Sequence, residues 1–204
     1  MNHPDPSSAP DRPQRNRNRV MLLAIVAVFF GSLIFAGVLR FSGWRPAGMK
    51  NKGELLQPPT DLRTQTPKLS DGSDYRWNPI ARTWRIAVAP PADCGAECAK
   101  TVTDLYKVWE LLGREAARVD VLWLCAATPC AMPADAPRLP NLRLLQSSPG
   151  LRAQLPRVDQ VTYQGGRGVP VYVIDPNGFV ILRYAAGSDP GDLRSDLAKL
   201  LKLK

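Results

Sequence analysis

The chain has 204 residues, enough for one ordinary domain plus extensions, and 45% of them are hydrophobic, as in proteins with a packed core. Its formal net charge is +9, but the 27 Lys and Arg residues are scattered, with neither zinc-finger spacing nor an RNP-like aromatic motif, so no nucleic-acid partner is expected. The sole histidine is His3, which excludes a Cys/His protease pair and the common His-containing zinc sites from any folded domain downstream.

Residues 1–19 are polar and Pro-rich, a composition that predicts a disordered cytoplasmic tail. Residues 20–39, VMLLAIVAVFFGSLIFAGVL, carry no charge. At the helical rise such a run matches a hydrocarbon core of about 30 Å, so residues 20–40 are expected to form one transmembrane helix. The run is too long for the apolar region of a signal peptide, and no Ala-x-Ala cleavage pattern follows it. Arg12, Arg15, Arg17 and Arg19 crowd its near side, while Arg40, Arg45, Lys50 and Lys52 are spread more thinly beyond it. The positive-inside rule then places the N-terminus in the cytoplasm. Paired cysteines downstream fit an oxidising compartment. The expected location is a bacterial inner membrane, spanned once, with the C-terminal domain in the periplasm.

Residues 41–74 read as an extended linker, because Pro46, Pro58, Pro59 and Pro67 interrupt any regular element. Trp44 is expected at the membrane interface. Folding is expected from Tyr75, so that residues 75–204 form the domain. Residues 75–77 and 83–85, separated by Asn78-Pro79, are expected to pair as a short hairpin. Residues 84–89 predict a strand stopped by Pro90-Pro91, and residues 99–114 a helix with Val102, Leu105, Tyr106, Trp109 and Leu112 on one face. Residues 119–124 predict a second strand, parallel to the first through a right-handed crossover. A weaker strand is expected at 142–145 and a short helix from Ser148-Pro149. Residues 171–175 and 179–184 predict an antiparallel hairpin turned by Pro176-Asn177-Gly178. Asp189 is expected to cap a last helix with Pro190 at its first position and Leu193, Leu197, Leu200 and Leu201 as its apolar stripe. Parallel βαβ followed by ββα is the core of an α/β, thioredoxin-like fold.

All four cysteines lie between positions 94 and 130. Cys94 and Cys98 fall between the first strand and the first helix, where α/β sheets place their chemistry and where a helix N-terminus favours a thiolate. Such a pair can attack a substrate disulfide and resolve the mixed disulfide, offer two soft sulfurs to Cu(I), or simply close a structural disulfide. Pro170 in Gly168-Val169-Pro170 is the candidate for a cis proline facing the cysteine loop, with Val169 and Pro170 docking a substrate chain. A plain strand-entry proline is the alternative. Cys125 and Cys130 follow the second strand at the same sheet edge. They can close a small disulfide, exchange with the first pair, or join it around a metal.

The CxxxC pair, the preceding anchor and the later V-Y-V-I-D-P-N-G-F-V hairpin resemble the Sco/SenC family of membrane-tethered, thioredoxin-like factors for cytochrome c oxidase assembly. Asn51-Lys52-Gly53-Glu54-Leu55-Leu56 is similar to a segment in small membrane proteins of the same assembly process. The resemblance implies thiol-disulfide exchange or copper binding at Cys94 and Cys98, with an oxidase subunit or copper chaperone as protein partner. It departs from the family at one point: Sco proteins carry a copper-ligating histidine just before the late hairpin, where this chain reads Gly165-Gly166-Arg167-Gly168-Val169-Pro170. A two-Cys, one-His copper site cannot form, so no cofactor is required and copper is left to two sulfurs alone. The expected function is therefore thiol-disulfide exchange. The alternatives are a Cu(I)-binding chaperone without a histidine ligand and a degenerate docking domain.

Overall fold

An uninterrupted run of aliphatic and aromatic residues has no polar face to turn toward water, and it folds as one helix, α1 (Arg12–Phe41). The computed structural model describes residues 12–42, 51–127, 130, 132–133 and 136–202, in two units, Met1–Met49 and Lys50–Lys204. Within α1, Arg15–Phe41 is long and apolar enough to cross a membrane. The hydroxyl of Ser32 donates to the Phe29 carbonyl at 2.8 Å, so this polar group is satisfied within the helix. Residues 12–19, expected as a disordered tail, are helical instead. Once the apolar run has nucleated a helix, each added residue extends it at little cost. Trp44 lies outside the described residues.

The second unit is built on a six-stranded mixed sheet in the order β1-β8-β7-β2-β3-β4. In chain order its elements begin with β1 (Glu54–Asp61), β2 (Trp84–Val88) and α2 (Ala96–Leu111), then a 3-10 turn (Gly113–Arg118) and β3 (Val119–Leu124). There follow β4 (Leu142–Leu145), α3 (Pro149–Ala153) and a small hairpin of β5 (Thr162–Tyr163) and β6 (Gly166–Arg167). The chain ends with β7 (Val171–Ile174), β8 (Phe179–Tyr184) and α4 (Pro190–Leu200). Strands β2 and β3 run parallel, with Val88 opposite Trp123, while β7 and β8 form the expected antiparallel hairpin. Gly178 takes φ +101° in its turn, a conformation open to glycine, and Asp175 accepts the backbone N–H of Gly178 and of Phe179. Asp189 caps α4 through the N–H of Gly191. This is a thioredoxin-like α/β arrangement.

Side chains alternate across the pleat, so the sheet has two cores. On one face Ile86, Val88, Val121, Trp123, Val173 and Leu182 pack against Val102, Leu105 and Val108 of α2 and Leu193 and Leu197 of α4. On the other, Ala87, Leu122, Tyr172 and Ile174 pack against Leu62, Tyr75, Leu151, Leu155 and Val158. Tyr106 and Trp109, expected on the core stripe of α2, sit at its partly buried flank.

Two expectations need correction. Residues 54–61 are not linker but an edge strand, pairing Glu54 with Arg183, Leu55 with Leu182, Thr60 with Val180 and Asp61 with Phe179. The register shifts between Leu55 and Thr60, so Pro58 and Pro59 fall in the irregular stretch, where a missing N–H costs the ladder nothing. Residues 75–77 and 83–85 do not pair as a hairpin either. Tyr75 and Trp77 turn inward, holding edge-to-face rings 5.6 Å apart, and their polar atoms are used elsewhere. Tyr75 donates to Asp120 at 2.8 Å and Trp77 to the Gln65 carbonyl at 2.8 Å.

Candidate active site: a cleft walled by four cysteines

Strands β2 and β3 are hydrogen-bonded neighbours and end at the same edge of the sheet, and each is followed by a cysteine pair. After β2 the chain runs through Pro90 and Pro91 into a turn closed by the Cys94 N–H on the Pro91 carbonyl at 3.3 Å. Helix α2 then begins at Ala96, three residues before the expected Ala99. The Gly95 carbonyl accepts the N–H of Cys98 at 3.1 Å and of Ala99 at 3.4 Å, which winds Cys98 into the first turn. Cys94 stays in the loop and is partly exposed, whereas Cys98 is 3% exposed. The two form a disulfide with Cα atoms 5.7 Å apart. After β3, the Cys125 N–H continues the ladder to the Leu145 carbonyl at 2.9 Å. Cys125 is buried, Cys130 is partly exposed, and they form a second disulfide with Cα atoms 5.3 Å apart.

Both disulfides line one cleft of about 340 Å³. Its other walls are small or apolar, including Gly95, Ala126, Ala127, Trp123 and Met132, and among the described residues no charged side chain faces it. Cys98 and Cys125 belong to the same buried cluster as Trp123, with Cys94 and Cys130 packed against that cluster.

The loop is held by charges that the sequence reading did not single out. Arg167 of β6 donates to both carboxylate oxygens of Asp93, at 3.1 and 3.0 Å, and its Nε lies 3.6 Å from Glu97. One guanidinium therefore spans the residue before Cys94 and the residue before Cys98. Glu97 Oε1 is buried and has no hydrogen-bond partner, so that ion pair is its compensation. Arg152 of α3 donates to the carbonyls of Ala89 at 2.7 Å and Pro90 at 3.0 Å, fixing where the loop leaves β2, while its other nitrogen pairs with Asp159 at 2.8 Å. The alternation of Asp93, Cys94, Glu97 and Cys98 was the one local hint of such a clasp.

Val169 and Pro170 do not line the cysteine cleft. Both are buried, and Val169 lies at a second, smaller cleft with Glu97, Tyr163 and Arg167. The expectation of a cis bond before Pro170 is corrected: the cis peptide bond among the described residues is Gln57–Pro58. A trans bond at Pro170 keeps the chain extended into β7, where Val171 pairs with Val88.

The model of the transmembrane-like, thioredoxin-like C-terminal domain matches residues 84–204. Among solved structures, a SCO1/SenC family lipoprotein from Bacillus anthracis aligns with a TM-score of 0.51 at 18% identity, covering 72% of this chain and 97% of its own. Apo Sco1 from Thermus thermophilus aligns with a TM-score of 0.51 at 19% identity, covering 76% and 99%. Yeast Sco1 with copper bound gives 0.51 at 14% identity, covering 77% and 96%. At these identities the likeness is one of fold. No curated protein matches the chain.

Proposed function

We propose that this chain, which belongs to the family of transmembrane-like, thioredoxin-like C-terminal domains, is a membrane-tethered thiol-disulfide oxidoreductase with Cys94 and Cys98 as its working pair. One observation carries the reading: a partly exposed cysteine stands just ahead of a 16-residue helix whose first turn holds its buried partner. The helix N-terminus supplies partial positive charge near the loop, which favours a thiolate, and Arg167 offsets the carboxylates of Asp93 and Glu97 there. In the reduced form the Cys94 thiolate attacks a disulfide of a partner protein and expels one partner thiolate. Cys98 then attacks Cys94 Sγ, closing the intramolecular disulfide and releasing the second partner thiol. Val169 floors the adjoining cleft on which the substrate chain rests, with Pro170 buried at the strand entry behind it.

The setting we infer is the periplasmic face of a bacterial inner membrane, with α1 as anchor. The task we infer is heme-copper oxidase assembly on a cysteine-containing subunit or copper chaperone; the sequence motifs shared with Sco proteins support it. The test is to express Cys98→Ser in the cells of origin and search for adducts. A Cys94-dependent mixed disulfide with a membrane or periplasmic protein is expected. Absence of any such adduct, together with no reducible couple in the purified chain, would falsify the reading.

A second reading is Cu(I) carriage, and one observation favours it: the thioether of Met132 lines the same cleft as the cysteines. Oxidised, the pairs offer no thiolate to a metal. Reduced, Cys94 and Cys98 present two soft sulfurs, and no histidine completes the set in the folded domain. Equal Cu(I) affinity in the reduced chain and in a Cys94→Ser, Cys98→Ser variant would sink this reading.

A further inference from the structure

We propose that the two cysteine pairs form an internal relay, in which the Cys125–Cys130 disulfide accepts electrons from the Cys94/Cys98 dithiol. The proposal rests on the redox reading above and adds a second couple to it. Four observations support it. The pairs follow adjacent, hydrogen-bonded parallel strands, whose backbones lie about 4.8 Å apart. All four cysteines line one cleft, where Gly95, Ala126 and Ala127 put no bulky side chain beside the sulfurs. Among the described residues no charged side chain walls the cleft, whose lining is apolar or small. Finally, the pairs match in layout: each has one buried cysteine, Cys98 or Cys125, and one partly exposed cysteine, Cys94 or Cys130.

The step balances within the chain. The Cys94 thiolate attacks Cys130 Sγ, breaking the Cys125–Cys130 bond, forming a Cys94–Cys130 bond and leaving Cys125 as a thiolate that takes up a proton. The Cys98 thiolate, having lost its proton to solvent, then attacks Cys94 Sγ. This closes Cys94–Cys98 and releases Cys130, which is protonated in turn. Two electrons and two protons pass from the first pair to the second, and a partner dithiol resets the first pair by the reverse of the exchange proposed above, attacking Cys94 Sγ and leaving as a disulfide. Cys130 then presents these electrons on the other side of the cleft, so donor and acceptor proteins need not compete for one sulfur.

The experiment uses the full chain in detergent micelles. One equivalent of dithiothreitol is added to the oxidised wild type, samples are quenched in acid and alkylated, and thiols are located by peptide mass spectrometry. Thiols are expected first at Cys94 and Cys98 and then at Cys125 and Cys130, with a first-order rate that does not change over a tenfold range of protein concentration. Thiols that stay where they first form, or a transfer rate that scales with concentration, overturn the relay. In Cys98→Ser the expected product is a Cys94–Cys130 bridge with Cys125 alkylated. With oxidised glutathione supplied as the two-electron oxidant, a Cys94–Cys125 bridge in Cys98→Ser, Cys130→Ser is expected at least tenfold less often than a Cys94–Cys130 bridge in Cys98→Ser, Cys125→Ser. An intact Cys125–Cys130 bond beside an alkylated Cys94 in folded Cys98→Ser also overturns it. A relay that fails this way leaves a reducible Cys94–Cys98 couple and its partner adducts in place. If that couple cannot be reduced at all, the relay and the redox reading fall together.

Discussion

Asp196→Ala tests how the start of the second unit is locked to its end. Asp196 is 2% exposed on α4. Its Oδ2 accepts the N–H of Lys52 at 2.6 Å, the N–H of Gly53 at 2.9 Å and the Tyr184 hydroxyl at 2.9 Å, while Oδ1 pairs with Lys199 at 3.0 Å. Alanine leaves the Gly53 N–H and the Tyr184 hydroxyl buried without this acceptor, at a cost of about 1–3 kcal/mol each. Lys52 N and the half-exposed Lys199 lie nearer water and lose less. A total of about 3–4 kcal/mol follows, and for a unit of this size each kcal/mol moves Tm by about 2–4 °C. The expected fall at pH 7 is therefore about 6–16 °C, read by far-UV circular dichroism. Acid supplies a second check. Burial pushes the Asp196 carboxyl up, but the bonds from Gly53, Lys199, Lys52 and Tyr184 outweigh it and hold the group below 3.8. With the folded value below the unfolded one, the contribution is complete above pH 3.8 and is lost as pH falls through the lower, folded value. The gap between wild type and variant should therefore narrow below that pH. A Tm loss under about 2 °C at pH 7, or a gap that stays constant into acid, refutes the argument.

Gly53→Ala attacks the same lock from the other side: a Cβ there would meet Tyr184 Cζ at 2.6 Å, and the ring is pinned by Asp196, so a loss of about 1–3 kcal/mol is expected in denaturant melts. Arg167→Ala removes the cation between Asp93 and Glu97 and leaves two carboxylates beside the cysteine loop. Iodoacetamide alkylation of the reduced chain at pH 7 should then slow by about three- to tenfold; an unchanged rate counts against the clasp. Burial pushes the Tyr75 hydroxyl up to about 12, against the pull of Arg85 and with the help of Asp120. Its neutral form stabilises the fold fully below pH 10 and loses that effect as pH rises through about 12, so ultraviolet titration should find this tyrosine un-ionised at pH 11 until the chain unfolds.

Much of the sheet was legible because its strands are short apolar runs bounded by turn residues. Residues 119–124 and 142–145 are β3 and β4 as expected, and Pro176-Asn177-Gly178 turns the β7–β8 hairpin. β1 was hidden by Pro58 and Pro59, which argue against a strand anywhere except at an edge with an irregular register. The start of α2 was misplaced because Gly95, without a capping side chain, serves through its backbone carbonyl alone. Cys94 could be placed in the loop between strand and helix from sequence, and Cys125 at the same sheet edge, whereas Cys98, expected in that loop, lies inside the first turn of α2. That Arg167 and Arg152 steady the loop could not be read locally. Each comes from a segment far along the chain, brought back only by the turn of the β5–β6 hairpin and by the docking of α3.

Trp123, the last residue but one of β3, pairs with Val88 and walls the cleft beside both disulfides, with Cys125 only two residues further on. An excited indole readily gives up an electron to a nearby disulfide and not to a thiol, so its emission is dark beside an oxidised pair and bright beside a reduced one. The chain has five tryptophans, and among the described ones Trp123 is the one that lines this cleft. It thus carries its own optical gauge of how far the cleft as a whole is reduced, dark while either disulfide remains and bright only when both pairs are open.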